Sequence, residues 1–149
     1  MRLTARSEYG LLALIDIACR RGEGPVSARG IAERQKIPSK FLEQLFVSMR
    51  QGGLVTAVRG ARGGFELSRD PEGITVLDVV EALEGPLQPT QCPALEPCGR
   101  SGPCAAVGVW TQATNALRDV LGKTTLAELA ELQQGMDLSA PTGAGNGRP

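Results

Sequence analysis

Histidine is absent from this chain of 149 residues, and the absence constrains its chemistry sharply. No imidazole is available to hold zinc, relay a proton or activate a serine or cysteine nucleophile. Aromatic residues are scarce at 3%, so Trp110, Tyr9, Phe41, Phe46 and Phe65 are the only large rings. A core must instead come from Leu, Val, Ile and Ala within a hydrophobic share of 42%, which suits closely spaced helices. No apolar run approaches the roughly 20 residues that a membrane-crossing helix needs. The opening Met1-Arg2-Leu3-Thr4-Ala5-Arg6-Ser7-Glu8 has no apolar stretch after its arginines. A cytoplasmic protein with no signal peptide and no membrane partner is expected. No Gly-rich phosphate loop precedes a helix and no nucleophile has an evident base, so an enzyme is not expected.

What the chain does have is thiols. Four cysteines in a reducing compartment point to metal binding or redox sensing rather than structural disulfides. Cys92, Cys98 and Cys104 form a C-x5-C-x5-C run in a loop that also holds Pro86, Pro89, Pro93, Pro97 and Pro103. Three thiolates can hold a soft metal or an iron–sulfur cluster, yet both normally take four ligands. The fourth must come from elsewhere, with Glu96 in the loop as one candidate. Zinc binding, or a thiol switch without metal, are the alternatives. Cys19 lies on an apolar helix and reads as a core thiol.

The net charge of zero hides an asymmetry. Residues 1–70 carry twelve Lys and Arg against seven Asp and Glu, a net +5, and residues 71–149 carry the opposing −5. A basic first half is a footprint for a polyanion.

The pattern of elements fits a mainly α protein with a small β-hairpin. Thr4 caps a first helix whose apolar face runs from Leu11 to Ala18, and Arg20-Arg21-Gly22 ends it. Ser27 caps a short second helix that Gln35-Lys36-Ile37-Pro38 breaks. A third helix spans Ser39 to Gln51, with Leu42, Leu45, Phe46 and Met49 inward and Lys40, Glu43, Gln44, Val47 and Ser48 on the other side. Strands at 54–58 and 65–68 flank the basic turn Arg59-Gly60-Ala61-Arg62-Gly63-Gly64. This order describes a winged helix-turn-helix over residues 1–70. Residues 71–133 add a helix opened by a Thr75/Asp78 capping box, the cysteine loop, a long helix over about 105–121 with Trp110 on its stripe, and a helix capped by Thr125 and Glu128. Residues 134–149 read as a disordered tail.

In a helix-turn-helix the second helix enters the major groove. Gln44 can pair with adenine and Glu43 can accept from the cytosine amino group, with Lys40 beside them. A surface ion pair with Lys40 or Arg50 is the alternative role for Glu43. Arg59 and Arg62, presented among glycines, suit a narrow minor groove, the alternative being a solvated turn. Arg2, Arg6 and Lys36 read as phosphate contacts. Double-stranded DNA is the expected partner.

The N-terminal Met-Arg-Leu-Thr, Phe41-Leu42-Glu43-Gln44-Leu45-Phe46, Gly53-Leu54-Val55, Arg59-Gly60-Ala61-Arg62-Gly63-Gly64-Phe65 and the three clustered cysteines together resemble the IscR/NsrR-like family of iron–sulfur winged-helix transcription regulators over about residues 1–133. That resemblance implies a homodimer paired through the long helix and a 2Fe–2S or 4Fe–4S cluster on Cys92, Cys98 and Cys104. It implies Glu43 as the sequence-choosing glutamate and Arg59 as the wing arginine. The IscR pattern has a histidine three positions after the third cysteine, where this chain has Val107. NsrR-like members use a carboxylate from the partner's N-terminal helix instead, and Glu8 stands at that position. The expectation is a regulator whose operator binding follows a cluster that senses redox state, nitric oxide or iron–sulfur supply. The alternatives are a cluster-free thiol- or metabolite-sensing regulator and a zinc-binding structural variant.

Overall fold

The structure is a computed structural model and describes residues 3–88 and 103–140. Within them the chain forms α1 (Ala5–Cys19), α2 (Ala28–Gln35), α3 (Ser39–Gln51), β1 (Val55–Val58), β2 (Gly64–Leu67), α4 (Val76–Glu84), α5 (Ala106–Lys123) and α6 (Leu126–Ser139). This is a mainly helical winged helix-turn-helix, as the sequence pattern predicts.

The helix starts follow from their caps. The Thr4 hydroxyl accepts the Arg6 N–H at 3.2 Å, and the Ser27 hydroxyl accepts the Gly30 N–H at 3.1 Å. Each satisfies a backbone donor that the first turn would leave unpaired. Thr75 with Asp78, and Thr125 with Glu128, form reciprocal capping boxes at α4 and α6. Between α2 and α3 the chain turns at Lys36, which sits in the left-handed region at φ 57°. Pro38 then precedes α3 without a side-chain cap.

One core joins the elements. Leu14, Ile31, Leu42, Leu45, Phe46, Met49 and Leu54 are fully buried, and Ile74, Val79 and Leu126 from the second half join the same cluster. The expected division near residue 70 therefore runs through a shared interior. Rigid packing extends into the wing. β1 and β2 pair antiparallel with Val55 opposite Leu67 and Val58 opposite Gly64. Phe65 stacks on Phe46 with ring centroids 3.8 Å apart. Phe65 also exchanges two backbone hydrogen bonds with Val26, at 2.9 and 2.8 Å, so the wing is sewn to the segment before α2.

The starts of α4 and α6 are tied together as well. The Val76 N–H donates to the Thr124 carbonyl and the Leu126 N–H to the Ile74 carbonyl, both at 2.9 Å. Helix α6 packs along α1 and continues to Ser139, so residues 134–139 are helical where the sequence suggested the beginning of a disordered tail. The Thr125 box starts the helix firmly, and a Gln133–Asp137 side-chain hydrogen bond of 2.8 Å supports its last turns. Residues 141–149 lie outside the described residues. Helix α5 differs from all the others: none of its residues is buried. Its base is seated by Leu117 and Leu121 against Val76, Val80 and Leu87.

Candidate nucleic-acid interface and cysteine site

Helix α3 turns its four buried side chains inward, which leaves Lys40, Glu43, Gln44 and Val47 facing water. Glu43 belongs to no ion pair among the described residues, so the surface-pair alternative with Lys40 or Arg50 is not how the structure uses it. Lys36, at the turn into this helix, is exposed. The wing tip presents Arg59 and Arg62, both exposed. Gly60 takes φ +118° there, and Gly63 lies so close to the Val58 carbonyl that a Cβ would not fit. The tip is thus a tight backbone turn carrying two cations. Arg2 lies outside the described residues.

Arg6, expected as a phosphate contact, has an internal task instead. Its Nε donates to the Leu83 carbonyl at 3.1 Å and its terminal nitrogen to the Ser48 hydroxyl at 3.0 Å. It braces α3 against α1 and α4. A guanidinium has five donors in a rigid fork, which is why one side chain can span three elements.

Two carboxylates hold α1 against its neighbours, and neither stands out in the sequence as a functional residue. Asp16 is only 5% exposed. It receives Arg34 through two hydrogen bonds of 3.0 and 2.7 Å, Gln35 at 2.9 Å and Arg20 at 3.1 Å. Burial alone would raise its carboxyl pKa. The hydrogen bonds from Arg34 and Gln35, with the charges of Arg34 and Arg20, outweigh burial and hold it below the usual carboxylate range. This clamp fixes α2 against α1. The signal in the sequence is a lone acid within the apolar run Leu11–Ala18.

Glu84, at the end of α4, accepts the Thr4 hydroxyl at 2.5 Å, the Thr4 N–H at 3.0 Å and the Ser7 hydroxyl at 2.9 Å. Burial pushes its pKa up, but these donors more than reverse the effect and leave it lowered. A carboxylate at the start of α1 also meets the positive end of that helix.

The cysteines divide. Cys104 is exposed and free, two residues before α5, whose first turn no side chain caps. Cys92, Cys98 and Glu96 lie outside the described residues. Glu8 is exposed on the first turn of α1. Among the described residues no three His, Cys, Asp or Glu side chains converge as metal ligands would. Cys19 is half-buried rather than a core thiol. Its S–H points at the Ala130 carbonyl, 3.6 Å away on α6, and burial followed by the nearby Asp137 and Asp16 raises its pKa. Trp110 is 41% exposed on α5, outside the core. No helix among the described residues is long and apolar enough to cross a membrane.

Comparison with known proteins agrees with this architecture. The family model described as Rrf2, iron-dependent transcriptional regulator, matches residues 3–132. The HTH-type transcriptional regulator IscR of Xenorhabdus nematophila is 37% identical over 139 residues, covering 93% of this chain and 85% of that protein. The solved structure of CymR, the global cysteine regulator of Bacillus subtilis, superposes with a TM-score of 0.77 at 36% identity, over 89% of this chain and 98% of that one. The structure of IscR from T. potens gives a TM-score of 0.74 at 33% identity, over 96% and 94% of the two chains.

Proposed function

This chain belongs to the Rrf2 family of transcriptional regulators, and from that premise we propose that it binds operator DNA as a homodimer under the control of an iron–sulfur cluster. Its relatives are transcriptional regulators and not enzymes. The reading helix would enter the major groove with Lys40, Glu43 and Gln44 toward the bases. Arg59 and Arg62 would reach the adjoining minor groove, and Lys36 and Arg2 would meet phosphates.

The observation that carries the cluster reading is Cys104, an exposed and unpaired thiol at the mouth of α5. It completes the C-x5-C-x5-C run with Cys92 and Cys98 in a chain that has no histidine. The donor set fits the group: thiolates suit iron–sulfur centres, and a carboxylate such as Glu8 of the partner subunit is a harder, weaker fourth donor. A bound cluster would supply a centre that redox-active or nitrosylating molecules can attack. The chain's own part would be to supply Cys104 beside α5, the helix whose exposed face suits pairing with a second copy, with Cys92 and Cys98 contributed by the preceding stretch of sequence.

A second reading has its own support. CymR of Bacillus subtilis, named a global cysteine regulator, matches this chain as closely as the IscR proteins do. On this reading the chain would work through thiols or a small metabolite, with no cluster, on the same architecture.

One experiment separates the two. Full-length protein purified without oxygen should be brown, contain iron and acid-labile sulfide, and bleach in air or nitric oxide. Glu8→Ala should hold the cluster less durably, and replacement of Cys92, Cys98 and Cys104 by Ser should abolish it and change DNA affinity. Colourless protein that resists anaerobic reconstitution, yet binds DNA in a thiol-dependent way, would replace the first reading with the second.

A further inference from the structure

Val47 is the anomaly of helix α3. Every other apolar side chain on the helix is buried or packed against the core, whereas Val47 is 55% exposed. A β-branched residue gains nothing locally there, since it is a poorer helix former than Ala, Leu, Lys or Glu. Its position is distinctive. At about 100° per residue, Lys40, Glu43, Gln44 and Val47 fall within an arc of about 100°, with Val47 near the middle. It sits one turn beyond Glu43 and Gln44, at the centre of the face that the proposed function turns toward base edges.

The ground beside it is shaped too. Val47, Arg50 and Gln51 of α3, with Val55, Thr56 and Ala57 of β1, line a shallow groove of about 620 Å³ between the reading helix and the wing. The helix-facing edge of this groove is apolar at Val47 and cationic at Arg50, which has no ion-pair partner among the described residues.

We propose that Val47 is a base-reading residue that selects a thymine through its C5-methyl group. A valine cannot donate to phosphate or pair with a base edge. The thymine methyl is the one apolar group that the major groove displays, and small apolar side chains are its complement. A thymine there would let Val47 surrender its exposed surface, while cytosine at that position would leave it facing water or a polar amino group. This rests on the DNA-binding reading above and adds to it an apolar determinant beside the polar ones.

The test uses the full-length chain, both as isolated and after anaerobic reconstitution with iron and sulfide. Each form is used to enrich binding sites from a random duplex pool. Every thymine of the enriched duplex is then replaced singly by deoxyuridine, which removes the methyl and nothing else. The unaltered protein should lose about fourfold in affinity at one thymine in each half-site, the weight of one buried methyl group. Val47→Ala, which alters both protomers, should bind the unmodified duplex about sixteenfold more weakly, about fourfold from each half-site, and be indifferent to that same replacement, and Val47→Ile should keep the sensitivity. Circular dichroism checks that both variants fold. If tight binding shows no loss at any thymine, or if Val47→Ala keeps the full loss or full affinity, the inference is overturned and DNA binding stands. If neither form enriches any duplex, the DNA-binding reading goes, and the inference with it.

Discussion

Lys36 combines two properties that glycine would separate. Its backbone holds a left-handed conformation at the turn into α3, and its charge stands exposed there. A non-glycine residue held in this region costs of the order of 1 kcal/mol or more. Lys36→Gly should therefore raise stability by about 0.5–1 kcal/mol in urea unfolding, once the greater freedom of glycine in the unfolded chain is subtracted. The same change should reduce the slope of log affinity against log salt by about one if the ammonium meets a phosphate. Asp16 gives a second prediction at this scale. Its folded pKa is lowered, so its contribution to stability is fully present above the unfolded value near 3.9 and is lost as pH falls through the folded one. Asp16→Asn should cost about 1–3 kcal/mol at pH 7, since Arg34 and Arg20 still reach water, and should flatten the acid limb of the stability profile below about pH 4. Outward residues such as Lys40, Glu43 and Gln44 are legible from helical period alone. Glu84 is not, because its partners stand 77–80 residues away, and Asp16 shows only its i+4 pairing with Arg20, since the Arg34 and Gln35 that complete its clamp stand 18 and 19 residues away.

Among the elements, the wing is the most tightly specified. Gly64 has the Val26 backbone so close that no Cβ could be accommodated without moving it. Gly64→Ala should detach the hairpin from the Val26 segment and cost about 2 kcal/mol or more, a loss of the overpacking kind against a backbone that cannot yield. Amide exchange should quicken at the N–H groups of Val26 and Phe65 first, since they exchange the hydrogen bonds that the new methyl displaces. Uniform behaviour across the chain would argue against the close approach. Elements with side-chain caps were readable from sequence to within a residue or so: Thr4, Ser27, Thr75 and Thr125 each stand where a helix begins. The end of α6 carries a stop signal in Pro141, two residues beyond Ser139, but it is masked by the composition before it. Gly135 and the polar residues around it suggested a tail, but support from α1 and the Gln133–Asp137 bond carries the helix past them.

Across the whole molecule, α5 is the element that a single chain leaves unfinished. Val109, Trp110 and Val120 are all exposed on it, and it carries no buried residue. If this helix pairs with its counterpart in a second copy, Trp110, the only tryptophan, becomes a reporter. Its emission should shift to the blue as concentration rises, in step with the mass from light scattering. Trp110→Asp should give monomers that retain the fold of α1–α3. A mass that stays monomeric at all concentrations would exclude pairing through this surface. The sequence disclosed this helix by its period, but no single-chain pattern says whether an apolar stripe meets its own core or another molecule.

Glu84 is the last residue of α4, and beyond it the backbone passes into the segment that bears the sulfurs. The same carboxylate grips Thr4 and Ser7, while Arg6, between them, holds Ser48 on α3. The helix that leads into the sulfur-bearing stretch of sequence is therefore tied, through one carboxylate and one guanidinium, to the start of α1 and to α3. Five side chains, Glu84, Thr4, Ser7, Arg6 and Ser48, make that joint, so loosening any one of them should be felt on both sides of it.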